Sequence, residues 1–161
     1  MTVSVELVDY DNPEQVEELI ELLDGYARDP MGGGEPLSEA TRQNLPRALA
    51  ERDFLFSVIA YVDGKPAGLA NCIESFSTFA CKPIINIHDL AVNKAFRGHG
   101  ISQALLSGIE KIARQKGSAK VTLEVLSGNI VAINAYKKFG FDGYELDPAM
   151  GKAEFWEKKL T

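Results

Sequence analysis

Between Val92 and Ser102 the chain reads Val-Asn-Lys-Ala-Phe-Arg-Gly-His-Gly-Ile-Ser, where a strand-like run ends, glycines free the backbone and a helical pattern begins. A junction of this kind leaves the N–H groups of Gly98, His99, Gly100, Ile101 and Ser102 without helical acceptors and aims them at one spot. The positive end of the helix dipole adds to them, and Arg97 can cover the charge of a pyrophosphate held there. Two other phosphate-binding patterns are excluded. Gln103 stands where a dinucleotide fingerprint needs its third glycine, and no G-x-x-x-x-G-K-[ST] occurs.

A second constellation follows on the next helical segment, where Asn129, Ala132, Tyr136, Gly140 and Phe141 form N-x-x-A-x-x-x-Y-x-x-x-G-F. Together with Arg97-Gly98-His99-Gly100-Ile101-Ser102, which resembles the R-x-x-G-x-G/A element, it is similar to the paired signatures of the GNAT superfamily of N-acetyltransferases. Ser102 stands where that family has Gly or Ala; serine is small, and its hydroxyl can donate to a phosphate. The run Ile87-His88-Asp89-Leu90-Ala91-Val92 and the closing Phe155-Trp156-Glu157-Lys158-Lys159 resemble the spermidine/spermine and thialysine N-acetyltransferases. In that subgroup an acidic pair occupies the positions of His88 and Asp89.

The resemblance implies acetyl-coenzyme A as co-substrate and direct attack of an amine on its thioester, without a covalent enzyme intermediate. Leu90, Ala91 and Val92 would hold the pantetheine arm as if it were another strand, with the Leu90 N–H polarising the thioester oxygen. Arg97 to Ser102 would bind the pyrophosphate. Asn129 would bind the pantetheine arm or cap its helix, and Tyr136 would donate its proton to the departing thiolate or anchor its helix in the core. An alkyl ammonium of pKa about 10.4 must lose a proton before it attacks. His88, of ordinary pKa about 6.5, is suited to accept it, with Asp89 and Glu124 as competing bases. Strand alternation sets His88 and Asp89 on opposite faces. Asp29 or Glu35, in the loop after the first helix, would pair with a cationic acceptor.

These residues need a particular scaffold. Val3, Val5 and Leu7 alternate as a strand; Asn12-Pro13 starts a helix carrying Val16, Leu19, Ile20, Leu23 and Tyr26 at helical spacing, with Gln15 placed to complete a capping box. Residues 29–37, with two prolines and three consecutive glycines, predict a mobile loop. A helix from Ser38, bent or ended near Pro46, precedes strands at 54–62, 67–77 and 83–92, the first two joined at Asp63-Gly64. Then come a helix from His99 to Gly117, a strand at 121–126 and a helix at 129–139 closed by Gly140. Strands at 141–144 and 153–159 complete the series. The expected fold is α/β with a mixed sheet of six to seven strands and about four helices, in the order β-α-α-β-β-β-α-β-α-β-β. A helix between the strands ending at Val92 and Leu126 requires them to be parallel.

With 161 residues, 45% of them hydrophobic and 25% charged, the chain suits one domain over 1–161. A net charge of −6 disfavours broad nucleic-acid binding. No apolar stretch approaches the length of a membrane span, and the N-terminus lacks the layout of a signal peptide. Cys72 and Cys81 make no disulfide framework and suit a reducing cytoplasm; with only two histidines and no ligand spacing, no metal is expected. The partners expected are a small-molecule amine and, by resemblance, a second copy in a homodimer. Acylation of a protein amine, or acyl-coenzyme A binding without turnover, are the competing functions.

Overall fold

In the computed structural model, which describes residues 1–144 and 146–161, the order is β1 (Val3–Leu7), α1 (Pro13–Arg28), α2 (Glu39–Ala50), β2 (Leu55–Val62), β3 (Lys65–Ser77), β4 (Lys82–Val92), α3 (Ile101–Gln115), β5 (Lys120–Leu123) and α4 (Ile130–Phe139). The five strands lie in sequence order, β1 to β4 antiparallel and β4 to β5 parallel. The parallel pair follows from α3, which carries the chain back across the sheet.

Strand alternation divides the core into two faces. Val58, Ala60, Ala70, Ile85 and Ile87 meet Ile101, Leu105, Leu106 and Ile109 of α3. Ile59, Tyr61 and Leu69 face the other way, against Val16, Leu19 and Ile20 of α1 and Leu49 of α2. At Gly68 the α3 side is so close that an added Cβ would lie 2.9 Å from the Ala91 carbonyl oxygen and 3.2 Å from both Ile101 Cγ2 and Leu105 Cδ1. Glycine there lets the start of α3 sit directly on β3 and β4.

Helix α1 begins as its sequence requires, with Asn12 Oδ1 accepting from the Glu14 and Gln15 N–H groups. Gln15 does not close a capping box; its Oε1 accepts from the Asp9 N–H, one turn of chain further back. Pro46 lies inside α2, which continues to Ala50. The glycine-rich segment is pinned. Asp29 caps a 3-10 turn at Pro30–Gly32, and Leu37 N–H donates to the buried Asp24, whose other oxygen accepts from Arg28 Nε.

The sheet has five strands, below the expected six to seven. Residues 141–144 and 153–159 form no strand. Directly after the left-handed Gly140, Phe141 turns inward and packs edge-on against Tyr136, 6.0 Å between ring centroids, which takes it out of any strand alignment. In 153–159 the large apolar residues Phe155 and Trp156 are adjacent and do not alternate; both are exposed. The strand expected at 121–126 ends at Leu123, leaving Leu126 exposed.

Candidate active site

Strand β4 is longer than its parallel partner. The β4–β5 ladder runs from Ile84↔Lys120 to Ile87↔Leu123, whereas β4 continues to Val92. From His88 onward its β5 side carries no ladder; Ala91 spends its backbone groups on Leu69 of β3, so Leu90 and Val92 present backbone donors and acceptors to a cleft between two diverging strands.

A bulge sits where that cleft opens. Asn71 pairs with Asp89 and the next β3 residue, Cys72, with Ile87, so His88 is the extra residue on β4. The regular alternation expected to separate His88 from Asp89 is therefore interrupted at His88 itself. His88 is exposed. Asp89 is half-buried on the α1 side, where its Oδ2 accepts from Asn71 Nδ2 at 3.0 Å.

Beyond Val92, Asn93 caps a short 3-10 turn and the chain enters α3 through Gly98 and Gly100, at φ 82° and 75°. These left-handed turns swing the peptide N–H groups toward the helix axis at little steric cost. No side chain caps α3, and Ile101, Ser102 and Gln103 occupy the turn whose N–H groups have no intrahelical acceptor. Ile101 itself is buried in the core, so its contribution here is its backbone; His99 and Arg97 are exposed. The residues present thus fit a phosphate-bearing coenzyme: a free strand edge for an amide-containing arm and a donor-rich helix start for its phosphates.

On the α1 side a cavity of about 660 Å³ runs from Glu17, Glu18 and Glu21 past Tyr26, Leu69 and Ala91 to Val92, Lys94 and Arg97. Glu17, Glu18 and Glu21 of α1 lie at one end and Lys94 and Arg97 at the other, with Arg28 and Asp29 also in the wall. Part of that charge is already paired. Arg42 binds Glu21, and Tyr61 donates to Glu18, a contact that together with burial pushes the Tyr61 phenol up to about 12. Asp29 is held below the usual carboxylate range by the Met31 N–H and then by Arg97, whose Nη2 lies 3.5 Å from its second oxygen.

Two phenols lie on opposite sides of the sheet. Tyr136 of α4 is half-buried on the α3 side, and Tyr26 of α1 lines the cavity. Burial raises both phenols; Tyr26 is raised further by the charges of Asp89 and Asp29, and Tyr136 by Tyr26. Tyr26 is thus near enough to feel the Asp89 charge, and Tyr136 near enough to feel that of Tyr26. Tyr26 is the site residue that its sequence position conceals: its place in the Leu19, Leu23, Tyr26 series reads as core.

The remaining expected residues lie apart. Glu124 holds Asn86 Nδ2 at 3.3 Å, at the closed end of the cleft. Glu35 is fixed through its backbone to Ala27 and does not line the cavity. Asn129 caps α4 through Oδ1, which accepts from the Ala132 N–H at 3.2 Å. Gln103, which sequence reasoning used only to exclude another motif, ties α3 to α4 by donating to the Ala135 carbonyl at 2.9 Å. Among the described residues no group of three or more His, Cys, Asp or Glu side chains could hold a metal ion, and no helix is long and apolar enough to cross a membrane.

The chain is similar to known proteins in sequence and in fold. The family model described as Acetyltransferase (GNAT) family matches residues 16–141, and the chain belongs to that family. An uncharacterized N-acetyltransferase of Methanocaldococcus jannaschii is 33% identical over 99 residues, 61% of this chain and 44% of the relative. The streptothricin acetyltransferase of Streptomyces lavendulae is 35% identical over 88 residues, 55% of this chain and again 44% of the relative. The chain thus spans under half the length of these curated relatives. Among solved structures, AAC(6')-Iy in complex with the bisubstrate analog CoA-S-monomethyl-acetylneamine shares the fold at a TM-score of 0.75 and 18% identity, covering 99% of this chain and all of that one.

Proposed function

We propose that the protein is an N-acetyltransferase that moves the acetyl group of acetyl-coenzyme A to a primary amine of a small cationic molecule. The observation that carries this reading is the open β4 edge from His88 to Val92, which runs directly into the uncapped start of α3. Family membership, the streptothricin acetyltransferase among its relatives and the coenzyme-containing analog in a structural neighbour agree with it. The spermidine-type subgroup named from Ile87–Val92 fits the same acidic cavity end and stays part of the proposal.

Acetyl-coenzyme A supplies an activated thioester carbonyl; the chain's residues place it and manage protons. Leu90 and Val92 bond the pantetheine amides through their backbone, with Ala91 between them paired to β3 and the Leu90 N–H polarising the carbonyl. Gly98, His99, Gly100, Ile101 and Ser102 bind the pyrophosphate beside Arg97. Asn129 keeps its amide nitrogen for the pantetheine arm while its oxygen caps α4. Glu17, Glu18 and Glu21 attract the cationic acceptor.

Asp89 takes the proton of the attacking ammonium, directly or through water, with exposed His88 as the alternative route. Tyr136 donates a hydrogen bond to the departing sulfur. A free thiol has a pKa of about 8.5, and the Tyr136 phenol lies above its ordinary value of 10. Complete transfer from phenol to thiolate is therefore uphill, and the hydrogen bond is the useful contribution.

The test is to incubate the protein with acetyl-coenzyme A and polyamines, diamines, thialysine, amino acids, aminoglycosides or peptides, and to follow free-thiol release. Release with one small-amine class is expected. Release with peptides alone moves the assignment to a protein acceptor. Coenzyme binding without release from any acceptor leaves a binding module and removes the transferase reading.

A further inference from the structure

Strand β2 reads Leu-Phe-Ser-Val-Ile-Ala-Tyr-Val, and its serine, Ser57, is completely buried. A hydroxyl in an apolar layer costs stability unless it is bonded, and an alanine would fill the same space. Ser57 is bonded twice. Its Oγ donates to Asn71 Oδ1 at 2.6 Å and lies 2.7 Å from the Tyr10 hydroxyl. Asn71 in turn donates from Nδ2 to Asp89. The four side chains cross the sheet from the β1–α1 connection through β2 and β3 to the bulge in β4.

The direction of every bond in this chain is fixed by its last member. An ionised carboxylate only accepts, so Asn71 must present its NH₂ group to Asp89 and its oxygen to Ser57. Ser57 must then spend its proton on Asn71, and Tyr10 must donate to Ser57. Burial raises the Tyr10 phenol above its ordinary value, which keeps it a donor.

We infer that Tyr10, Ser57 and Asn71 are positioning residues that hold the Asp89 carboxylate fixed in one rotamer for the acetyl-transfer reaction. The inference rests on the reading of Asp89 as proton acceptor. None of the three touches the reacting atoms; they act through Asp89, and the bulge supplies the offset that lets a β4 carboxylate face a β3 amide.

The experiment measures acetyl-coenzyme A turnover with spermidine, lysine and neomycin, using the amine with the fastest thiol release, in Asn71→Ala, Ser57→Ala and Tyr10→Phe, each alone and combined with Asp89→Asn. Losing a donor to a charged group should lower kcat about tenfold or more for Asn71→Ala, with smaller losses for Ser57→Ala and then Tyr10→Phe. The KM for acetyl-coenzyme A should move by less than about twofold, since no coenzyme contact changes. In the Asp89→Asn background the three substitutions should add no further loss, the signature of action through one group. Tyr10→Phe keeps its ring and tests the relay even where a core alanine destabilises the fold. Loss of kcat in Asp89→Asn with undiminished kcat in the other three overturns the positioning role alone, as do losses that persist in full in the Asp89→Asn background. Full turnover by Asp89→Asn, or no release from any amine, removes the reading of Asp89 and this role with it.

Discussion

Replacing Gly68 by alanine tests whether the close seat of α3 on the sheet sets the coenzyme site. Gly68 is not in a left-handed conformation, so the substitution acts through space alone. The new methyl would stand 2.9 Å from the Ala91 carbonyl oxygen and 3.2 Å from Ile101 and Leu105. The carbonyl belongs to a backbone ladder in which Gly68 pairs with Val92 and Leu69 with Ala91, and it has little room to move. The shift must fall on α3, whose first residue is Ile101. Overpacking of this kind costs about 1–3 kcal/mol. For a chain of this length that is a fall in Tm of about 2–12 °C by differential scanning calorimetry. Because the displaced helix start is the one proposed to bind phosphate, coenzyme affinity measured by isothermal titration should weaken about 3- to 10-fold, the equivalent of one good hydrogen bond. A Tm within about 1 °C of the parent, with unchanged coenzyme affinity, would refute the reasoning.

Other consequences are equally direct. Tyr136→Phe keeps the edge contact with Phe141, so the fold should persist while kcat falls about 10- to 100-fold at constant coenzyme KM; steady-state kinetics with undiminished kcat would remove the hydroxyl from the mechanism. The Asp24 carboxyl is held below its usual range, first by the Leu37 N–H and then by Arg28 and Arg42. Its stabilisation is fully present above the unfolded value of about 3.9 and is lost as pH falls through the lower folded value. Asp24→Asn should therefore lower Tm at pH 7 and approach the parent's Tm below about pH 4, and a gap constant with pH in thermal scans would contradict this. Burial and the charge of Asp89 push the Cys72 thiol up to about 12, whereas Cys81 is exposed. Iodoacetamide at pH 8 should modify Cys81 alone in the native protein, as read by peptide mass spectrometry; rapid labelling of Cys72 would show that the β2–β3 core opens.

The elements legible in the sequence are those specified by local chemistry. Asn12-Pro13 starts α1, Asp63-Gly64 turns β2 into β3 with both residues at positive φ, and Gly140 ends α4. Each is settled within a few residues of chain, and the parallel β4–β5 pairing follows because a helix intervenes. The two closing strands failed for the opposite reason. An apolar run becomes a strand only with a partner edge, and Phe141 instead gives its ring to Tyr136 and Phe139. Periodicity registers that Phe141 is apolar and is silent on which neighbour it covers.

The candidate site divides along the same line. The half proposed to bind phosphate is a continuous stretch, Val92 to Ser102, and is readable as one. The half proposed to handle protons is assembled by register, and register is a property of pairs of strands. Shifting the β3–β4 pairing by the single extra residue at His88 decides whether Asp89 meets Asn71 or points elsewhere. No property of His88, Asp89, Asn71 or Ser57 taken singly announces that bulge. Tyr26 is concealed similarly, since a helix face that is apolar along Leu19 and Ile20 becomes a cavity wall about two turns later. The cavity's two charged ends then follow from the elements that meet there: acidic α1 at one end, and at the other the basic turn that leads into α3. Arg97 and Asp29 join those elements across the end of the cavity, with Arg97 Nη2 3.5 Å from Asp29 Oδ2.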